Sequence, residues 1–367
     1  MPVPNVLVVT DIGNDYDDMM ALLILGYYHR QKKINLKGII VTLHPVTERA
    51  RVTYGLLRNC MGIKDVPVAE GTTGTDNERE DAEWTKIALN AEFSAEPRTG
   101  FKNYLELAAE VLTEAKRKRE KIRLLSIASI RDIWAIVQQN PSLFKQVVSE
   151  IHIQAGCKIV DVGDTYMGKK IEKKKLVAND EARNNSDDLV AANNFYDFIQ
   201  KNKISCSVYE KQAAFVSGCK KDIFDPEHAS KAMKKVATYI YAIHDIQKKV
   251  YYKDACKPIA QRRLPWCDEK WFLDYMCKDL PKELVEKKDV DIERLLPYTL
   301  VTPYDPIAAL GCIEEVAGMA LKLPKARYED VDGSGHQMFY VGSNVSKEAG
   351  HLIAEEIRRH MRLALTM

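Results

Sequence analysis

The chain has 367 residues, 46% of them hydrophobic, with 54 Lys and Arg against 52 Asp and Glu for a net charge of +2. Such a balance gives no reason to expect a nucleic-acid partner drawn by bulk charge, and no stretch approaches the ~18 apolar residues of a membrane span. The eight cysteines contain no CxxC pair, and no basic, then long apolar, leader opens the chain, so reduced thiols and a cytoplasmic location are expected.

In chain order, the pattern predicts a strand over 6–9, a helix over 17–30, a strand over 38–43, a helix over 47–61 and a short strand over 66–69. Residues 72–99 are polar and irregular, long enough for a lid or for local structure of their own. A helix over 104–117, a strand over 122–128, a helix over 131–139 and a strand over 150–154 follow. The basic run 169–175 reads as a solvated loop. Then come a helix over 189–201 and a strand over 205–209. Beyond residue 225 the pattern changes: a long helix over 229–249, an aromatic segment over 263–277, an apolar helix over 302–319, a strand over 327–331 and an amphipathic helix over 346–365.

Strands alternating with helices predict an α/β fold, an open, mostly parallel Rossmann-like sheet with helices on both faces. No Pro-, Ser- or Gly-rich tract divides the chain and no repeat is found, so one domain over 1–367 is expected. Ligands of such sheets lie outside the carboxyl ends of the strands. That rim would gather Asp11, His44, Glu70, Ser129 and Ala155.

The most informative feature is the turn after the first strand. Asp11, Asp15, Asp17 and Asp18 fall within eight residues. Carboxylates held that close raise one another's pKa unless a cation neutralises them, so the cluster points to a hard divalent metal. The register is not that of an EF-hand, whose twelfth position would be Leu22 here, and no GK[ST] follows Gly13 to make a phosphate loop. Helix capping accounts for one or two aspartates, not four.

The segment 11–18 after an apolar strand resembles the signature of the inosine-uridine-preferring nucleoside hydrolase family. It fits the longer variant, DxDxGxDxDD, from the second aspartate onward, with Val9 in place of the first. Asp65-Val66-Pro67-Val68-Ala69-Glu70-Gly71 resembles the family's VPVxxG strand. Ile127-Ala128-Ser129-Ile130-Arg131-Asp132-Ile133 stands where the family has GPLTN. Residues 150–156 resemble the strand ending in MGG, 184–192 the EFNxxxDPEAA segment, and Tyr304-Asp305-Pro306-Ile307-Ala308 the HDPLA motif.

The resemblance implies hydrolysis of the N-glycosidic bond of a riboside to ribose and free base, with one Ca²⁺. It places Asp11, Asp18, Asp305 and the carbonyl of Arg131 on the metal. Asp11 is also the base acting on water, and Asp17, with Asn184 or Asn185, contacts the ribose. Gln154 is carried over to the substrate side as well. Asp15 is left without a role beyond capping the helix. The resemblance also implies a homodimer or homotetramer.

Departures from the pattern fall around the substrate. Tyr304 replaces the histidine that often precedes the last aspartate, and a phenol is the weaker acid. Pro45, next to His44, stands near the family's Asn after the second strand. The Glu of EFN has no equivalent, since Glu181 is out of register. His44 reads as a pocket residue or a turn residue. Trp266, Trp271, Phe272 and Tyr275 read as a lid that stacks on a base or as a core stripe, with Trp271 the favoured contact. His336 reads as a site residue or, more readily, as a hydrogen-bonded loop residue. A competing reading is a metal- and ribose-binding relative that does not hydrolyse, or one retuned to a modified riboside. A phosphotransferase with Asp11 as nucleophile lacks its DxDxT strand end.

Overall fold

Alternation inside the first strand sets the architecture. All six residues of β1 (Asn5–Thr10) are buried. Val6 and Val8 enter one apolar cluster, Leu7 and Val9 another, so β1 lies at the centre of a sheet covered on both faces. The computed structural model describes residues 2–13, 15–76, 83–166, 169–171, 173–262, 265–285 and 290–367.

The other strands of that sheet are β2 (Asn35–Val41), β3 (Val68–Glu70), β4 (Lys102–Asn103), β5 (Ile122–Ile127), β6 (Val148–Gln154), β7 (Ser205–Tyr209), β8 (Ala326–Arg327) and β9 (Met338–Val341). Their order is β8-β9-β7-β6-β5-β1-β2-β3-β4. Every pairing is parallel except β8 with β9. The chain builds outward from β1 to β4, returns to place β5 beside β1, and builds outward the other way. The order therefore reverses between β1 and β5. In open α/β sheets that reversal opens a crevice at the carboxyl ends of the strands, where ligands bind.

The main helices are α1 (Asp17–Arg30), α2 (Val46–Gly55), α3 (Tyr104–Lys118), α4 (Arg131–Gln139), α5 (Leu189–Lys201), α6 (Lys234–Ala255), α7 (Tyr304–Cys312) and α8 (Lys347–Leu365). Residues of α1, α2, α6, α7 and α8 pack in the cluster that holds Val6 and Val8. Those of α3, α4 and α5 pack with Leu7 and Val9. A third, smaller cluster joins Tyr252 and Ala255 of α6 to Cys267, Phe272, Met276, Cys277 and Leu295. Among the described residues no helix is long and apolar enough to cross a membrane.

The segment 72–99 carries local structure of its own, the helix Glu83–Ala88. Three expectations are corrected. The basic segment is a hairpin in which Cys157–Asp161 pairs with Lys174–Ala178 and Asp164–Tyr166 with Lys169–Ile171. The strand expected over 327–331 shrinks to β8, and the sheet is extended instead by β9, whose four residues follow a Gly-containing turn too short to read as an element. The helix expected over 302–319 also divides, since α7 ends at Cys312 and a separate turn spans Glu314–Ala317.

Helix α7 can approach the sheet closely because Gly311 has no side chain. A Cβ there would lie 2.0 Å from the hydroxyl oxygen of Tyr209 on β7, itself 2.9 Å from Nδ1 of His152. Gly311→Ala is expected to destabilise the fold by about 1–3 kcal/mol through overpacking, seen as a lower urea midpoint with an unchanged slope.

Candidate functional site

The acidic turn leaves β1 at the reversal point of the sheet. Gly13 adopts φ +99°, and a Cβ on it would strike Leu89, so both conformation and space call for glycine. Helix α1 then begins with Asp17 and Asp18 in its first turn, where the helix dipole favours negative charge. The turn is clamped from below by Arg49 of α2, which is 1% exposed. Its Nη1 donates to the carbonyls of Asp11 at 2.6 Å and Ile12 at 2.8 Å, while Nε and Nη2 donate to the carbonyl of His44 at 3.3 and 3.2 Å.

Asp15, Asp17 and Asp18 converge, with one carboxylate oxygen of each within 4.8 Å of the others. Asp15 was expected to cap the helix, and the structure corrects this. The N-cap is Tyr16, no side chain caps that end, and Asp15 Oδ1 is buried without a hydrogen-bond partner among the described residues. Asp305, at the first turn of α7, is 4% exposed. Burial pushes the pKa of Asp17 well above the carboxylate range, reinforced by the charges of Asp15 and Asp305. Burial does the same to Asp18, with Asp11 and Asp15 adding to it, although the Thr10 hydroxyl and the Asp11 N–H donate to Asp18 Oδ1 and oppose it. Burial also raises Asp305, together with Asp18, Asp15 and Asp11. Five carboxylates from the two ends of the chain thus form one electrostatic unit. Hard oxygens, and a buried one lacking a donor, suit a divalent cation of the Ca²⁺ class.

The other expected site residues divide. Asn184 Nδ2 donates to the carbonyl of Gln154 at 2.9 Å and to its Oε1 at 2.8 Å, holding both residues at the end of β6. Asn185 is corrected to a structural amide. It has no exposed surface, and its Nδ2 donates to the carbonyls of Gly156 and Asn179 while its Oδ1 accepts from Tyr196. Arg131 opens α4, and its guanidinium pairs with Asp188 at 2.6 Å and Asp76 at 2.7 Å. Among the described residues, the ion pairs of its guanidinium lie outside the acidic cluster. His44 is exposed on the loop after β2. His336 is fully buried between the Glu329 carbonyl and the Met338 N–H, as a loop residue.

Tyr304 and Trp271 belong to one aromatic run. Trp271 stacks on Tyr275 with centroids 5.3 Å apart, meets Trp266 at 4.8 Å and Phe215 at 5.6 Å, and Phe215 meets Tyr304 at 6.0 Å. Trp266 and Tyr275 are about half exposed, so the run leads from the surface to Asp305 instead of forming a core stripe. The Tyr304 hydroxyl has no hydrogen-bond partner among the described residues. Burial raises its pKa well above the phenol range, aided by Tyr251, Tyr16, Asp17 and Asp15.

Sequence reasoning missed two contributors. One is Arg49, an arginine within a helix whose other buried positions are small or apolar. The other is α6, whose His244 and Lys248 are fully buried and whose Tyr251, one turn further, faces Tyr304. The signal was a histidine and a lysine four residues apart on the buried stripe of an amphipathic helix.

No protein-family profile and no curated protein sequence matches the chain. Solved structures match it along its whole length. It superposes on the effector protein XOO4466 with a TM-score of 0.73 at 19% identity, covering 100% of this chain and 95% of that one. The type III effector XopQ, complexed with adenosine diphosphate ribose, gives 0.74 at 19%, covering 100% and 96%. The plant nucleoside hydrolase PpNRh1 gives 0.57 at 12%, covering 97% and 99%. The fold is that of the nucleoside hydrolases. In this chain the nucleoside hydrolase fold sets the acidic turn at the mouth of its sheet.

Two outcomes follow for the site. Removing the clamp by Arg49→Met is expected to cost about 2–3 kcal/mol, the range of buried hydrogen bonds from a charged donor, measured by urea unfolding. Asp17, Asp18 and Asp305 hold protons more tightly folded than unfolded, so their contribution to stability is greatest at acid pH and is lost as pH rises through their raised pKa values. In chelator, the melting temperature is expected to fall as pH rises above the ordinary carboxylate range, and Asp17→Asn to flatten that slope.

Proposed function

We propose that the protein hydrolyses the N-glycosidic bond of a ribonucleoside, giving ribose and a free base, with one Ca²⁺ held by Asp11, Asp18, Asp305 and the Arg131 carbonyl. The observation that supports this reading is the convergence of Asp15, Asp17 and Asp18 at the reversal point of a nucleoside hydrolase fold, with the buried Asp305 electrostatically coupled to them. When bound, a divalent cation supplies positive charge and a positioned water of lowered pKa.

The chain's own residues do the rest. Asp11 is only half buried, and in this reading it takes the proton of the attacking water. Asp17 accepts a hydrogen bond from a ribose hydroxyl, and Asn184 with Gln154 faces the sugar from the end of β6. The surrounding carboxylates stabilise positive charge growing on the ribosyl carbon, a preorganised electrostatic effect. Tyr304 donates a hydrogen bond to the departing base, and its raised pKa keeps that proton in place. The run from Trp266 to Phe215 offers aromatic faces on the approach.

A second reading has a specific observation in its favour. A matching structure, XopQ, is complexed with adenosine diphosphate ribose, and the departures at Pro45 and Tyr304 fall on the substrate side, with Val9 buried behind the site. Here the same cradle binds a modified riboside with little or no turnover. Release of reducing sugar from a nucleoside panel, set beside calorimetry with adenosine diphosphate ribose, separates the two. For hydrolysis, Asp11→Ala is expected to lower kcat by about 10³-fold or more, the scale of a lost general base, and to weaken Ca²⁺ binding. An unchanged rate with the metal retained would rule the mechanism out.

A further inference from the structure

Lys248 is a lysine with 0% exposure and no carboxylate of the described residues within ion-pair distance. Its Nζ lies 3.4 Å from Thr302 Oγ1, 3.5 Å from Met276 Sδ and 5.8 Å from the centroid of the Tyr16 ring. Tyr16 stands between Asp15 and Asp17 in the acidic turn. Its ring also meets His244 at 5.2 Å and Phe224 at 5.9 Å. Its hydroxyl accepts from the Thr302 N–H at 2.9 Å and lies 3.2 Å from Thr302 Oγ1. Thr302 in turn sits three residues before Asp305. One buried ammonium therefore stands behind both segments that supply the cluster, with a tyrosine and a threonine between it and the acids.

An ammonium enclosed with only a hydroxyl, a thioether and ring faces for company is poorly satisfied locally. On local contacts alone, an apolar side chain of similar length would serve as well or better. Burial lowers the pKa of Lys248 to about 8, while Cys277, Asp17, Cys267 and Asp15 oppose that shift, so the acids of the turn are among the groups that favour the charged form.

We propose that Lys248 is the internal counter-charge of the carboxylate cluster, a positioning residue that makes the metal-free site tolerable and moderates its hold on a divalent cation. The second half of this role rests on the metal reading of the site. A fixed cation behind the cluster attracts the acids when the site is vacant and repels a second cation when one enters. Lys248 touches no reacting group, and its effect passes through the field and through Tyr16 and Thr302.

The test compares the full chain with Lys248→Met, Lys248→Gln and Thr302→Val, by thermal melts in chelator and by calorimetry with CaCl₂. Lys248→Met and Lys248→Gln are expected to melt about 3 °C lower in chelator yet bind Ca²⁺ about tenfold tighter, as removal of a like charge implies. Thr302→Val loosens the same contacts without changing charge and is expected to leave Ca²⁺ affinity unchanged or weaker. A melting temperature in chelator that is unchanged or raised in both Lys248 variants overturns the counter-charge, and so does Ca²⁺ affinity that fails to increase. A wild-type chain that binds no Ca²⁺ sinks the metal reading and the moderating role with it. The melts in chelator then still decide whether Lys248 neutralises the acids.

Discussion

Like charges forced together out of water are the constraint around which this molecule is arranged. Asp15, Asp17 and Asp18 share a small volume beside the half-buried Asp11 and are coupled to the buried Asp305, and Asp17, Asp18 and Asp305 are raised well above the carboxylate range. Such a cluster persists only if the backbone around it is fixed by something stronger than the repulsion. The parallel pairing of β1 with β2 and β5 supplies that frame. Gly13 makes the turn, and Arg49 locks its carbonyls from a helix of the neighbouring crossover. The dipole of α1 then offers partial positive charge where Asp17 and Asp18 stand.

The cluster also binds the two ends of the chain together. Asp305 reaches it only because α7 packs against the sheet, closely enough that Gly311 lies under Tyr209. Tyr16 accepts from the Thr302 backbone, so the acidic turn and the segment before Asp305 are fastened by a direct hydrogen bond. A change that shifts α7 outward would move a carboxylate and loosen the Tyr16 socket together. This is why α6, distant in sequence from both, matters to the site: its buried stripe is what Tyr16 packs against.

Much of this was legible in the sequence. The helices at 17–30, 131–139 and 189–201 and the strand at 205–209 matched residue for residue, because 131–139 and 189–201 carry a helical period, and 17–30 and 205–209 are apolar runs, between polar boundaries. The acidic turn announced itself because four aspartates in eight residues have no structural use. Asp15 was underestimated because capping is a local habit of aspartate, whereas its real setting depends on acids folded over it. Asn184 and Asn185 were indistinguishable as neighbours, since only the turn decides which amide is spent on Gly156 and Asn179. Lys248 and Arg49 were invisible because a cation on an apolar stripe gives no sign of what it faces. The hairpin at 157–178 and strand β9 were lost in short, Gly- and Lys-rich runs that carry no period.

The environment of Tyr304 narrows the chemistry available to the proposed reaction. Its phenol is enclosed beside Tyr16, Asp15 and Asp17, all of which oppose ionisation. Such a group holds its proton through the whole neutral range, so it is a hydrogen-bond donor and a reluctant acid. A base that leaves past Tyr304 must then be one whose departing charge a hydrogen bond and an aromatic face can carry. If the leaving group needs full protonation, the proton has to arrive from solvent along the run from Trp266 to Phe215. Within the proposed reaction, such a donor would favour ribosides whose base departs as a stabilised anion over those that require a strong acid beside the ring.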